Sequence, residues 1–298
     1  MHIVLVDTSR VVLKMIAALL EPNGHTVSAF TDSAEALNFV ENTGSVRVLI
    51  TSLEVRPLGG LELCWSARLL AEANRPLYVI TMSSARNARN LAEALDSGAD
   101  DFIEKPPGPE ELHARLRAAE RLTTMQSELI RLADTDSLTG LLNRRAFLQK
   151  ARDTADRVGD HGKMSAILLD IDHFKRINDE YGHDVGDAAI QAVCRELALD
   201  GLVGRLGGEE FGIVLPHRTG AEAEGLATRL RRSMEALRIR GGRVPIRLTC
   251  SFGVSEWSEG DTIEWLLKRA DIALYEAKTT GRNRVVSAAS DLVLARAG

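Results

Sequence analysis

Short apolar runs alternate with amphipathic stretches along the first third of the chain. The runs His2–Val6, Thr26–Phe30, Val46–Thr51, Leu77–Met82 and Asp101–Ile103 predict strands. Between them Ser9–Leu20, Ser33–Glu41, Gly60–Glu72 and Ala85–Ser97 predict helices. Five strand–helix units in about 120 residues predict a doubly wound parallel sheet of flavodoxin-like α/β type. In such a fold the working site lies at the carboxyl ends of the strands, near Asp7, Ser52, Ser83 and Lys105.

After Pro106-Pro107-Gly108-Pro109 a helix is expected, with Glu110 and Glu111 in its first turn and no Gly or Pro until about Asp136. Leu122, Met125, Leu129 and Leu132 recur at three and four residues, the seam of a short coiled coil. Leu112, Leu116 and Ala119 continue that face less regularly. A helix packed back on its own domain would also explain the stripe; a parallel dimer stalk is favoured because the stripe runs beyond the last strand.

The second half reads as α+β. Ala166–Leu169 predicts a buried strand, with helices following from Phe174 and Val185. Leu202–Leu206 and Phe211–Leu215 flank Gly207-Gly208, a hairpin signal. A long helix, Ala221–Leu237, and a strand, Ile246–Ser251, follow. The expected domains are 1–118, a helical linker 119–136, and 137–290.

The bulk numbers narrow the class. Apolar and charged fractions of 45% and 27% are those of a globular protein, and a net charge of −5 gives no case for nucleic acid as partner. Cys64, Cys194 and Cys250 are an odd set in apolar settings without metal spacing, which reads as buried free thiols. The first apolar run is only a strand long and no other segment is long enough to span a membrane. A soluble, cytoplasmic protein with no membrane partner is expected.

The densest chemistry lies between Leu168 and Phe211. Asp170 ends a strand, and Glu209 and Glu210 sit at a hairpin tip. Carboxylates so placed can meet at one point and hold a hard divalent cation. Asp170-x-Asp172-x-Phe174-Lys175-x-x-Asn178-Asp179, then Gly182-His183-x-x-Gly186-Asp187, then Gly207-Gly208-Glu209-Glu210-Phe211 resembles the GGDEF family of diguanylate cyclases. Asp134–Arg145 is similar to that family's domain-entry element and reads as a structural capping turn. Tyr275–Arg284 is similar to its closing motif.

The resemblance implies an α+β fold like nucleotide cyclases and polymerase palms, and condensation of two GTP into cyclic di-GMP with loss of two pyrophosphates. It implies two Mg²⁺ per active site, with Mn²⁺ as a substitute, held by Asp170, Glu209 and the Ile171 carbonyl. Glu209 would also act as base for the 3′-hydroxyl, and Lys175 would stabilise the transition state. Asn178 and Asp187 would read guanine, His183 would contact substrate, and Gly207 and Gly208 would let the backbone approach the nucleotide. Lys278 and Arg282 would reach the β- and γ-phosphates. Each domain would hold one GTP, so a homodimer through the first domain and the linker helix is implied. The family's Arg-x-x-Asp product-inhibition positions hold Ala198 and Gly201, so that feedback is expected to be missing.

The first half resembles a response-regulator receiver: Leu5-Val6-Asp7, Gly59-Gly60-Leu61, Gly98-Ala99-Asp100, and Lys105-Pro106, where the family usually has a cis proline. Ser83 falls on its hydroxyl position. The phosphoacceptor aspartate should stand at position 52, where Ser52 is found, and the expected acid pair is Asp7-Thr8. A serine hydroxyl cannot form the acyl phosphate. Glu54 shares the strand's face but is expected beyond its end, and is not taken as a substitute. The expectation is a degenerate receiver that dimerises or docks an upstream protein.

Overall fold

Ile3, Val4, Leu5 and Val6 are all fully buried, which requires a strand covered on both faces. In the computed structural model, which describes residues 1–72, 75–84, 88–159, 161–197, 201–240 and 245–288, that strand is β1 (His2–Val6). The chain divides into two compact units, Met1–Arg131 and Leu132–Gly298.

In the first unit β1 is followed by α1 (Arg10–Leu20), β2 (Thr26–Phe30), α2 (Ser33–Asn42), β3 (Val46–Ser52), α3 (Gly60–Glu72), β4 (Tyr78–Ser83), α4 (Ala88–Asp96) and β5 (Asp101–Glu104). The strands lie in the order β2-β1-β3-β4-β5, all parallel. Val4, Val6, Leu49 and Val79 pack against α2 and α3, while Ile3, Leu5, Ile50 and Ile80 pack against α1 and the next helix. The expected flavodoxin-like sheet is present. Strand β4 starts one residue later than expected and carries Ser83 into the ladder opposite Glu104. The expected start of α4, residues 85–87, lies outside the described residues.

α5 (Pro109–Asp134) opens on a proline at its first position, where the missing N–H costs nothing. Leu112, Leu116 and Ala119 bury into the first unit's core. Beyond them Leu122, Met125, Leu129 and Leu132 are 46–64% exposed, an apolar stripe on the helix surface. No helix among the described residues is long and apolar enough to cross a membrane.

The second unit comprises β6 (Leu142–Asn143), α6 (Arg144–Val158), β7 (Met164–Ile171), α7 (Phe174–Tyr181), α8 (His183–Glu196), β8 (Leu202–Arg205), β9 (Glu210–Pro216), α9 (Gly220–Ala236), β10 (Cys250–Glu256), α10 (Ile263–Thr279) and β11 (Val285–Ser287). Its sheet order is β11-β10-β7-β9-β8-β6, with β7 antiparallel to both neighbours. Alternation along β7 divides the core. Ile167, Leu169 and Ile171 face the cluster with α8 and α9, and Met164 and Ala166 the cluster with α6 and α10. Gly253 on β10 lets α10 lie close, since a Cβ there would collide with the Ala270 carbonyl.

Two expectations are corrected. The strand expected at Ile246–Ser251 runs Cys250–Glu256, while Ile246 makes only a bridge to Ile239. Ser255 hid its second half: the residue is buried, its hydroxyl satisfied by the Leu266 carbonyl at 2.7 Å. Cys64 and Cys250 are buried thiols, but Cys194 is only partly buried, its Sγ 3.4 Å from the Thr139 carbonyl. Burial pushes the Cys64 thiol up to about 12.

Candidate active site

β7 ends in Asp170 and Ile171 with Asp172 just beyond, and the two acids meet different surroundings. Asp170 is 6% exposed and sits opposite Glu210 on β9 and Ser251 on β10. Lys278, in the last turn of α10, places Nζ 2.8 Å from Asp170 Oδ2. Burial pushes the Asp170 carboxyl up to about 6; the hydrogen bond and charge of Lys278 oppose this, and the charges of Glu209 and Glu210 add to it. Lys278 pairs with Asp170 alone, and the charges of Glu209 and Glu210 leave a negative surplus that a hard cation would relieve.

Among the described residues no three His, Cys, Asp or Glu side chains surround one point. Asp170, Glu209 and the Ile171 carbonyl still fit Mg²⁺, which takes one or two protein carboxylates and completes its shell with water and substrate phosphates. Glu209 is half-buried at the hairpin, its carbonyl accepting from the Ile171 N–H at 3.3 Å, so hairpin and strand end are tied at the site.

The glycine turn has an organiser that the sequence did not single out. Arg205 donates through Nε to the carbonyls of Gly207 and Gly208 at 3.2 and 3.1 Å, and through Nη1 to Asp136 at 3.0 Å. Asp136 also accepts from the Thr139 N–H and hydroxyl at 2.9 and 2.7 Å. Burial pushes the Asp136 carboxyl up, and these bonds outweigh it and leave it below its ordinary value. The segment after α5 is thus a structural turn, as its sequence suggests, and it braces the hairpin. Asn143 closes it by capping α6 through the Ala146 N–H at 3.0 Å.

α7 and α8 pack closely at Asn178 and Gly186. Asn178 Oδ1 is buried without a hydrogen-bond partner, and a Cβ on Gly186 would collide with it. Asp187, the next residue, is exposed. An orphaned amide oxygen beside a free carboxylate is a pair of acceptors waiting for donors, as a guanine edge would supply. Lys175 stands exposed in the first turn of α7 and His183 exposed at the start of α8. α7 begins at His173, in the left-handed region at φ 56°, without a side-chain cap.

Lys278 lies on Asp170, and Arg282, one turn past α10, is exposed at φ 60°. Asp172, 5% exposed, accepts from Thr249 Oγ1 and Ser251 Oγ, both at 2.6 Å, and from the Asn283 N–H at 3.0 Å. Of the outer positions expected to lack the product-inhibition motif, Ala198 lies outside the described residues and Gly201 is exposed before β8.

The first unit has its own polar cluster at the strand ends. Lys105 Nζ is 2.6 Å from Asp7 Oδ2 and 3.4 Å from Ser52 Oγ. Asp7 is fully buried, and its Oδ1 accepts from the Ser9 N–H at 2.7 Å. Ser52 is fully buried at the end of β3, Thr8 is exposed, and Ser83 is buried, its carbonyl accepting from the Lys105 N–H at 3.0 Å. The Lys105–Pro106 bond is cis, as expected. Glu54 does lie beyond the strand, yet its carboxylate turns back to accept from Ser52 Oγ at 2.7 Å, 4.0 Å from Lys105 Nζ.

Residues 133–284 match the family model described as "Diguanylate cyclase, GGDEF domain", and residues 3–117 match "Response regulator receiver domain". The chain is 36% identical over 262 residues to the response regulator PleD of Caulobacter vibrioides, covering 83% of this chain and 58% of that protein. It is 44% identical over 177 residues to the diguanylate cyclase VdcA of Vibrio cholerae, covering 57% and 50%. The crystal structure of the coiled coil and GGDEF domain of DgcB from Caulobacter crescentus, in complex with c-di-GMP, is similar at TM-score 0.54 and 32% identity. That match covers 59% of this chain and 99% of the other. The chain thus spans little more than half the length of these curated relatives.

Proposed function

We propose that this chain, which belongs to the GGDEF diguanylate cyclase family and carries a response regulator receiver domain, condenses two GTP molecules into cyclic di-GMP and two pyrophosphates. The observation that carries this reading is the Asp170–Lys278 pair at the end of β7, with the hairpin that bears Glu209 tied to the same strand end through the Ile171 N–H. Such an arrangement binds charge and has no structural need for it.

Each chain would hold one nucleotide. Asn178 and Asp187 accept from the guanine N1–H and N2–H₂ at the junction of α7 and α8. Such a site leaves its own acceptors unpaired with a base that lacks those donors, which favours GTP over ATP. Lys278 leaves Asp170 for the β- and γ-phosphates, joined by Arg282, and the uncapped start of α7 faces negative charge. The 3′-hydroxyl oxygen of the GTP held by a second copy attacks the α-phosphorus. A new P–O bond forms, the bond to pyrophosphate breaks, and Glu209 takes the hydroxyl proton. Lys175 offsets the charge that develops on the phosphorus oxygens, and His183 contacts substrate. Gly207 and Gly208 keep side chains out of the nucleotide's way. Mg²⁺, two per site and replaceable by Mn²⁺, would be held by Asp170, Glu209 and the Ile171 carbonyl and would neutralise phosphate charge.

A reaction between two nucleotides on two chains needs a homodimer, and the exposed Leu122–Leu132 stripe of α5 suits a parallel helix pair. The receiver-like unit, with Ser52 at the acceptor position, docks or dimerises without being phosphorylated. Ala198 and Gly201 leave the enzyme without product feedback at that site.

The test is the product profile of the purified chain with Mg²⁺ and GTP, with and without ATP, beside Glu209→Ala. Cyclic di-GMP alone, lost in the variant, is expected. A mixed GMP–AMP product would overturn the guanine reading, and no product from folded dimer would leave a nucleotide-binding protein.

A further inference from the structure

The turn that carries Arg282 is held in a backbone shape that its own residues disfavour. Arg282 and Asn283 lie at φ 60° and 45° in succession, after Gly281 at φ 126°. The left-handed region disfavours Arg282, whereas Gly and Asn tolerate it, and the arginine stays there where surrounding bonds fix the turn. Those bonds are on both sides of Asn283. Its N–H donates to the buried Asp172 carboxylate at 3.0 Å. Its side chain closes a ring with α9: Oδ1 accepts from Arg231 Nη1 at 2.8 Å, and Nδ2 donates to Glu235 Oε1 at 2.9 Å. Arg231 and Glu235 pair with each other at 3.0 Å.

Asp172 is itself fixed. Thr249 and Ser251 donate to its two oxygens, and its own N–H donates to the Thr249 carbonyl at 2.9 Å. It stands two residues after Asp170, so one rigid strand end carries both the cation-seeking acid and the anchor of the turn. The sequence offers no other use for a buried carboxylate here, and its bonds go to the turn and to β10.

We propose that Asp172 and Asn283 are positioning residues for the triphosphate: they fix the Gly281–Arg284 turn so that Arg282 meets the β- and γ-phosphates at a set distance from Asp170. α9, through Arg231 and Glu235, is then part of the phosphate-binding apparatus without touching the nucleotide. The proposal rests on the reading of Arg282 as a phosphate ligand. It predicts a split between ligands that share guanine and differ in phosphates.

The experiment measures calorimetric affinity of the full chain for guanosine 5′-[α,β-methylene]triphosphate, whose α–β link cannot break, and for GMP. Asp172→Ala and Asn283→Ala are expected to weaken triphosphate binding about tenfold, the effect of one hydrogen bond to a charged group, with GMP affinity within about twofold of wild type. Asp172→Asn, which keeps an acceptor for the Asn283 N–H, should recover most of the loss. An equal loss for both ligands, or no loss in folded protein, overturns the proposal. Should Asp172→Ala fail to fold, Asn283→Ala, in a half-exposed turn, decides alone. Arg282→Ala separates the premise: if it leaves the triphosphate-to-GMP ratio unchanged, the phosphate role of Arg282 is wrong and the positioning role falls with it.

Discussion

Two lysines in this chain grip a buried strand-end aspartate in nearly the same way. Lys105 meets Asp7 at 2.6 Å in the receiver-like unit, and Lys278 meets Asp170 at 2.8 Å in the cyclase unit. What surrounds each pair differs. Around Asp7 the charges balance locally: the Ser9 N–H donates to one carboxylate oxygen, the Lys105 ammonium stands against the other, and Glu54 accepts from Ser52. Around Asp170 two further acids add charge that Lys278 cannot balance, and the carboxyl is pushed up to about 6, first by burial. The same ion pair is a finished structural joint in one place and an unfinished binding site in the other. Excess charge, more than the pair itself, separates site from scaffold.

The largest expected effect tests that distinction directly. Asp170→Ala should lower cyclic di-GMP formation by about a hundredfold to a thousandfold, the range for losing one charge-stabilising group in a reaction centre. Asp7→Ala should leave turnover within about twofold and instead cost about 2 kcal/mol of unfolding free energy, because the half-buried Lys105 loses its 2.6 Å partner and keeps only Ser52 and the more distant Glu54. Turnover assays and denaturant melts on both variants suffice. If Asp7→Ala abolished turnover at unchanged stability, the receiver cluster would be an input to catalysis and the comparison would break.

The next effect concerns how two copies of the chain would pair. Leu122→Lys with Leu129→Lys should raise the dimer dissociation constant at least about a hundredfold, since each leucine buried in a helix pair contributes about 2 kcal/mol. Light scattering across a concentration series, with the cyclase rate followed in parallel, reads this out. A variant that stays dimeric at the wild-type concentration would remove α5 as the stalk.

How much of this was legible in the sequence depends on range. The parallel sheet was, because each βα unit states its pattern within a few residues; β1, β2 and α3 run over the expected spans. Asp170, Glu209 and Asn178 could be singled out as candidates because their motifs are contiguous. What the sequence concealed joins distant residues through polar groups. Asp172 bonds Asn283, Arg205 bonds Asp136, and Glu54 folds back on Ser52 after its strand has ended. None of these follows from periodicity. The far half of β10 was hidden for the same reason, since a buried serine counts as polar until its partner is known.

A smaller effect sharpens the view of the receiver cluster. The wild-type chain should take no phosphate from acetyl phosphate, by intact mass. Ser52→Asp alone should take none either, because Thr8 leaves the first strand with a single acid, already held by Lys105. Ser52→Asp together with Thr8→Asp should be labelled. Labelling of the wild type would mean that another residue in the cluster accepts phosphate.

The smallest effect lies at α9, the helix that bonds Asn283 in the Gly281–Arg284 turn. Thr219 and Glu222 form a reciprocal cap on α9: Glu222 Oε2 accepts from the Thr219 N–H at 2.9 Å, and Thr219 Oγ1 accepts from the Glu222 N–H at 3.3 Å. The Thr219 N–H, then Arg218 and the Thr219 hydroxyl, hold the Glu222 carboxyl down at about 2. A carboxylate with a lowered folded pKa contributes stability that is present above its unfolded value, about 4.5, and is lost as pH falls toward about 2. Glu222→Gln keeps an acceptor but loses the charge, so its Tm should fall below wild type by about two degrees near pH 6, with the deficit closing below about pH 3. Hydrogen exchange should confine the change to the Leu132–Gly298 unit. A deficit that persists unchanged in acid would assign the effect to cap geometry and not to charge, and the acid sensitivity of the cyclase unit would then have to come from elsewhere.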